Sequence, residues 1–246
     1  PAMRIAVLQR RLVQQLAALG VTIVPKRQSK LMWVLHVLSW PFMKLAGKSF
    51  MDNYVTTGMS KIYVPIPAGL PQTTEEAIAV VDVTTLAHEM THVYQARRGR
   101  VSHSLGYISP QLPIMLAAIS CVPIHAWLAS LSAWGHLVIL VYLMGIAWSF
   151  TPLVALIRWR PRFDIEHDAY ITSIFTLHAI YGYVDQQYVR DYFVSQLAGS
   201  PYLWPTPRHV ALQAADEAYR RITQRDPALL SEPSRKFVAD TVSGVS

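Results

Sequence analysis

The first clear periodicity along the chain is helical. Ile5, Leu8, Leu12, Leu16 and Leu19 recur three or four positions apart, which predicts an amphipathic helix over residues 4–19 with Gly20 just past its end. Val21–Val24 is a short β-branched run stopped by Pro25. An apolar stretch then runs from Leu31 to Ala46 and contains Trp33 and Trp40. Broken by Pro41 and Lys44, it is short for a membrane span, and reads either as an interfacial helix or as a core helix. Residues 53–66 alternate as strands do, Asn53–Thr57 and then Lys61–Pro65, with Gly58 in the turn between them. Thr73 with Glu76 forms a capping box, from which a helix is predicted to run toward Arg98 and Gly99. Further helices are expected over Phe163–Ile180, Val184–Leu197 and residues 208–224, the last polar and amphipathic.

Between these segments the pattern fails. From Val101 to Ile157 there is no Lys, Arg, Asp or Glu in 57 residues. The stretch divides into Leu112–Leu131 and Leu137–Ile157 around a short link, Ser132–His136. About 20 apolar residues at 1.5 Å each cover a hydrocarbon core of roughly 30 Å, so a transmembrane helical hairpin is predicted. Arg97, Arg98 and Arg100 precede it, Arg158, Arg160 and Arg162 follow it, and the link is uncharged. The positive-inside tendency then places both flanks, and so both soluble parts, in the cytoplasm. His125 and His136 lie in or beside the spans without a carboxylate partner, which suits helix packing and an interfacial position better than a proton path.

Composition agrees with that picture. The chain is 246 residues long, 52% hydrophobic and only 15% charged, against about 25% charged in ordinary soluble domains. The net charge of +7 is spread along the sequence with no basic block interleaved with aromatics, so anionic lipid is the expected partner and nucleic acid is not. The single cysteine, Cys121, rules out both an intrachain disulfide and a cysteine-based metal centre.

The chemistry lies in Leu86-Ala87-His88-Glu89-Met90-Thr91-His92-Val93-Tyr94-Gln95. On a helix, His88 and His92 project from one face a turn apart and can grip one Zn²⁺, while Glu89 sits beside them to take a proton from water and pass it to a leaving amine. By average composition an HExxH motif arises by chance in about 1% of chains of this length. A catalytic zinc needs a third protein ligand and an open position. Phe163-Asp164-Ile165-Glu166-His167-Asp168-Ala169-Tyr170 offers one on a second helix. Glu166 is the first candidate, with Asp164, His167 and Asp168 as competitors. His178, Tyr170, Tyr181 and His209 are candidate donors to a developing oxyanion.

HExxH, an intervening hydrophobic stretch and then Glu-x-x-Ala resembles the gluzincin metallopeptidases, most of all the integral-membrane group with a cytoplasm-facing active site, the heat-shock and CAAX-processing proteases. That group reads Glu-x-x-Ala-Asp, whereas this chain reads Glu166-His167-Asp168-Ala169-Tyr170. Tyr170 thus replaces the carboxylate that orients a ligand histidine, a part that Asp168, Asp164 or Asp82 would have to take. The His-Glu-x-Thr-His-Val-x-Gln form is also similar to predicted peptidase modules of phage and contractile-injection proteins. The resemblance implies a zinc endopeptidase with ligands His88, His92 and Glu166 and base Glu89. It also implies that Lys61–Val64 is the sheet edge that receives an extended substrate.

The expectation is therefore a mainly α fold with a small β element, a zincin-like catalytic domain interrupted by the hairpin. Residues 1–50 would form amphipathic or interfacial helices, 51–110 the β element and HExxH helix, 111–157 the hairpin, and 158–246 the third-ligand and C-terminal helices. Residues 51–110 and 158–246 would together make the catalytic domain. Its expected place is a membrane, a bacterial inner membrane, with protein or peptide substrates near it. Two other readings stay open: a membrane-inserting or virion-associated protein, and an inactive pseudo-peptidase scaffold, either with a structural or vestigial metal.

Overall fold

The computed structural model describes residues 2–45, 47, 49–58, 60–98, 160–198 and 206–224. The predicted hairpin, with Cys121, His125 and His136, lies outside the described residues. Among those described, no helix is long and apolar enough to cross a membrane.

The architecture is mainly helical with one small mixed sheet. Helix α1, Ala2–Ala18, buries Leu8, Leu12 and Leu16 on one face, as their spacing of four requires. Each such leucine contributes about 1.5–3 kcal/mol. Gly20 ends the helix at φ 63°, a left-handed conformation that costs glycine nothing, and Val21 N–H closes the turn on Leu16 O at 2.8 Å. Strand β1, Thr22–Pro25, follows, then one 3₁₀ turn, helix α2 (Lys30–Leu45) and a single helical turn α3 (Phe50–Asn53). Strands β2 (Thr56–Thr57) and β3 (Lys61–Val64) complete the sheet in the order β1-β3-β2. β3 runs parallel to β1, with Ile23 opposite Ile62, and antiparallel to β2, with Thr57 opposite Ile62.

This order corrects one expectation. Lys61–Val64 is the central strand of the sheet, paired on both sides, so it has no open edge to offer. Its side chains explain why: Ile62, Tyr63 and Val64 are all buried. Among the described residues the edges are β1 and β2. The first predicted strand is also shorter than expected, because Asn53 belongs to α3 and leaves only Thr56 and Thr57 in the ladder.

Thr73 caps the next helix as predicted, its hydroxyl accepting from Glu76 N–H at 3.2 Å. The helix does not continue to Arg98. It stops as α4, Thr74–Val80, and a new helix α5 spans Val83–Arg98. Asp82 makes the break: its carboxylate accepts from the backbone N–H of Thr84 and Thr85 at 2.9 and 3.0 Å, so it starts a helix rather than sitting inside one.

The remaining helices are α6 (Arg160–Tyr181), α7 (Gln186–Leu197, capped by Asp185) and α8 (Arg208–Gln224). Two apolar clusters form the core. One joins α1, the sheet, α4 and α5 and reaches Ile180; the other joins α6, α7 and α8 around Ile171, Phe193 and Ala215. α6 contributes to both, with Phe175 touching each, which is why it lacks a polar stripe. Arg190 clasps Asp216 in a two-pronged ion pair between α7 and α8, at 2.7 and 2.9 Å.

A buried cluster of two histidines and a glutamate

The centre of α5 is polar and yet buried. His88, Glu89, Thr91 and His92 are 9, 7, 0 and 4% exposed, and α6 covers them with Glu166 at 2%. Thr91 satisfies itself by donating to Ala87 O at 3.1 Å. His88 and His92 converge with Glu166, because they occupy one face of α5 and that face meets the middle of α6.

His88 Nε2 and His92 Nε2 lie 3.0 Å apart, and Glu166 Oε2 lies 3.3 Å from the first and 3.6 Å from the second. Glu166 Oε2 is buried and accepts no well-aligned hydrogen bond, although both rings lie against it. Three ligand atoms on a tetrahedral ion, each about 2.0–2.1 Å from it, stand about 3.3 Å apart. The three observed separations bracket that value, so the donor set fits one cation. Among the described residues this is the only cluster of three or more His, Cys, Asp or Glu able to hold a metal.

Electrostatics lead to the same place. Burial alone would raise the Glu166 carboxyl, but His88 and then His92 against it hold it well below the usual carboxylate range. Burial alone would lower His92, yet the Glu166 contact and charge, with Glu89 and Gln95, push it up to about 9. Without a metal, then, a proton supplies the positive charge that this trio requires. A metal must displace that proton, and binding strengthens as pH rises toward about 9.

Gln95 fixes the ring of His92. Its Nε2 donates to Ile165 O at 3.0 Å, so its Oε1 faces His92 Nδ1 at 2.9 Å and can only accept. Once the ring loses its second proton to a metal, His92 therefore keeps the one on Nδ1 and presents the Nε2 lone pair to the cluster. The same amide ties α5 to the residue preceding Glu166. Glu89 is held by a different element: Thr57 Oγ1 of β2 donates to Glu89 Oε2 at 2.5 Å. The ring of Tyr170 packs 4.6 Å from that of His88 and meets Tyr192 edge-on at 5.6 Å.

Of the four third-ligand candidates, only Glu166 joins the cluster. Asp164 is exposed and Asp168 is half-buried. His167 turns away, stacked on Phe163 at 5.5 Å and edge-on to Phe193 at 5.9 Å, and burial lowers its pKa. Asp82, a candidate to orient a ligand histidine, is taken up in starting α5. Among the oxyanion candidates Tyr170 is beside His88. His178 lies three turns beyond Glu166 at the end of α6, Tyr181 is 50% exposed, and His209 is exposed at the start of α8. Reasoning from sequence missed two site residues, Gln95 and Thr57. Gln95 was visible as i+3 from His92 on the same helix; Thr57 had no signal, since only the strand pairing brings it to Glu89. No protein family matches the chain, and no curated protein or solved structure is significantly similar to it.

Proposed function

We propose that the chain is a zinc-dependent endopeptidase of the gluzincin kind that acts on membrane-associated or membrane-proximal proteins. The observation that carries this reading is the convergence of His88 Nε2, His92 Nε2 and Glu166 Oε2 beside the carboxylate of Glu89. Two histidines and a carboxylate leave a fourth position for water or substrate, the pattern of catalytic rather than structural zinc. When bound, Zn²⁺ supplies a Lewis acid that polarises a carbonyl and acidifies water.

The protein's own groups would do the rest. Thr57 occupies Glu89 Oε2 and sets the plane of the carboxylate, whose other oxygen is the one to accept a proton from the attacking water. Glu89 then returns that proton to the leaving amine. Gln95 holds His92 in the ligating tautomer. Tyr170, packed on His88, is the nearest candidate to steady the oxyanion. The charge-free residues 101–157 support membrane anchoring through a hairpin with both soluble parts on the cytoplasmic side.

Glu89→Gln should lower cleavage of an unstructured protein such as casein by at least about a hundredfold while zinc content stays at the wild-type level. A Glu89→Gln protein that cleaves as fast as wild type would refute the mechanism. Wild-type protein purified with zinc in the medium and found without metal by elemental analysis would instead favour the pseudo-peptidase reading.

A further inference from the structure

Helix α2 is amphipathic in reverse. Met32 faces inward, packed with Met51 and Tyr63. Trp33, Val34, Val37 and Trp40 are 48, 55, 67 and 51% exposed. At 100° per residue these four fall on one face together with exposed Lys30, opposite Met32. A face turned to water is normally polar, and a contiguous stripe of large apolar side chains marks an interaction surface.

The surrounding charge identifies what it meets. Of the eight Lys or Arg in the first 51 residues, Lys26 is buried and Arg27 pairs with Asp52, while Lys30 is exposed on the α2 face and Lys44 and Lys48 follow in the sequence, in or just beyond α2. Two tryptophans on the apolar face of a helix that carries Lys30 and Lys44 and no acidic residue match the headgroup region of an anionic bilayer, where indole rings settle and lysines find phosphates. Sixteen residues extend only about 24 Å, less than a hydrocarbon core of roughly 30 Å, so the helix lies along the surface instead of crossing it.

The inner side of α2 leads to Glu89 in three contacts. Met32 packs on Tyr63 of β3, Tyr63 pairs with Thr56 of β2, and the adjacent Thr57 donates to Glu89. We infer that α2 is a membrane-contact helix whose Trp33–Val34–Val37–Trp40 face seats in an anionic lipid surface, so that the Glu89 site receives segments emerging from that surface. Membrane contact stands without catalysis; the substrate class rests on the peptidase reading above.

The test uses the full chain with Cys121→Ser and a fluorescent NBD label on Val37→Cys or, as control, on exposed Gln187→Cys of α7. Each protein is reconstituted in phosphatidylcholine vesicles with or without phosphatidylglycerol. In the anionic vesicles the residue-37 label should shift to the blue and be quenched more by a lipid spin-labelled near its headgroup than by one labelled at its chain end. The residue-187 label should respond to neither. A residue-37 label quenched no more than the control, or most strongly from the chain end, overturns the inference. So does a label already blue-shifted without lipid and blind to both quenchers, which would mean that residues 101–157 or a second copy of the chain cover this face. In a second arm, the double variant Trp33→Ser, Val37→Asp should cut free casein at the wild-type rate but acylated, vesicle-bound casein at least about tenfold more slowly. Equal loss on both substrates overturns the role in substrate presentation. If wild type cuts neither, the peptidase reading fails while the quenching result stands.

Discussion

Lys26 has no exposed surface, and its ammonium donates to Phe50 O at 2.6 Å, Tyr54 O at 2.8 Å and Thr56 Oγ1 at 3.0 Å while lying 3.6 Å over the Phe50 ring. Three acceptors suit three N–H donors, so the charge is tolerated, but burial still outweighs the help from Glu89 and Asp52 and lowers its pKa to about 7. An unfolded lysine keeps its proton to about 10.5. Between those values the unfolded chain binds more protons than the folded one, so stability from this group rises with pH from about 7 to about 10.5. Unfolding free energies of wild type and Lys26→Met, measured by urea titration across that window, should diverge with pH by a few kcal/mol, wild type gaining. Parallel curves would show that Lys26 does not titrate there. The bonds of Lys26 also fix the segment that ends in Thr57, and so steady the contact to Glu89. Nothing in the local sequence announces this: Lys26 belongs to a basic cluster that reads as surface, and only the fold of residues 50–56 around it makes it a core residue.

At the scale of elements, the site is the contact between α5 and α6, clamped at two points. Gln95 donates to Ile165 O at one end, and Ser173 Oγ donates to Thr84 O at 3.1 Å at the other. Gln95→Ala removes both the acceptor for His92 Nδ1 and the tie to Ile165, the residue before Glu166 on α6. Zinc affinity should fall about tenfold to a hundredfold, read by competition with a chromogenic chelator, with helix content by circular dichroism unchanged. Unchanged affinity would mean that the ring of His92 is held by packing alone. These two helices were legible in advance because apolar residues recur along both at helical spacing, and their meeting was expected because a catalytic zinc would demand a third ligand. The sheet was not. β1 pairs with β3 across the whole of α2 and α3, a long-range parallel contact that no local pattern encodes, and that pairing removes Lys61–Val64 from the edge. The break at Asp82 was missed for another reason: the apolar phase continues through it, and only the aspartate's choice of backbone partners marks a new start.

Over the whole molecule, His88 and His92 lie on α5, whose apolar side chains belong to the cluster built on α1 and the sheet, while Glu166 lies on the part of α6 that packs with α7 and α8 in the second cluster. A metal held by all three would staple one cluster to the other. At free zinc about a thousandfold above its dissociation constant this is worth about 4 kcal/mol, so stripping the metal with a chelator should lower Tm by roughly 10 °C, reversibly. His88→Ala should start lower and show no response to the chelator. A wild-type Tm indifferent to zinc and chelator alike would remove the metal from the account of stability.

The separation of the ligands along the chain has a consequence in time. Two of them come from residues 88 and 92 and the third from residue 166, with the charge-free 57 residues between. On the reading proposed here, a ribosome making this chain releases a helix with two of the three metal ligands and must thread the whole apolar stretch before the third exists. On that reading, the nascent protein is harmless to itself and to its neighbours until synthesis has passed Glu166, and competence to cut begins only once the segment expected to enter the membrane has left the ribosome.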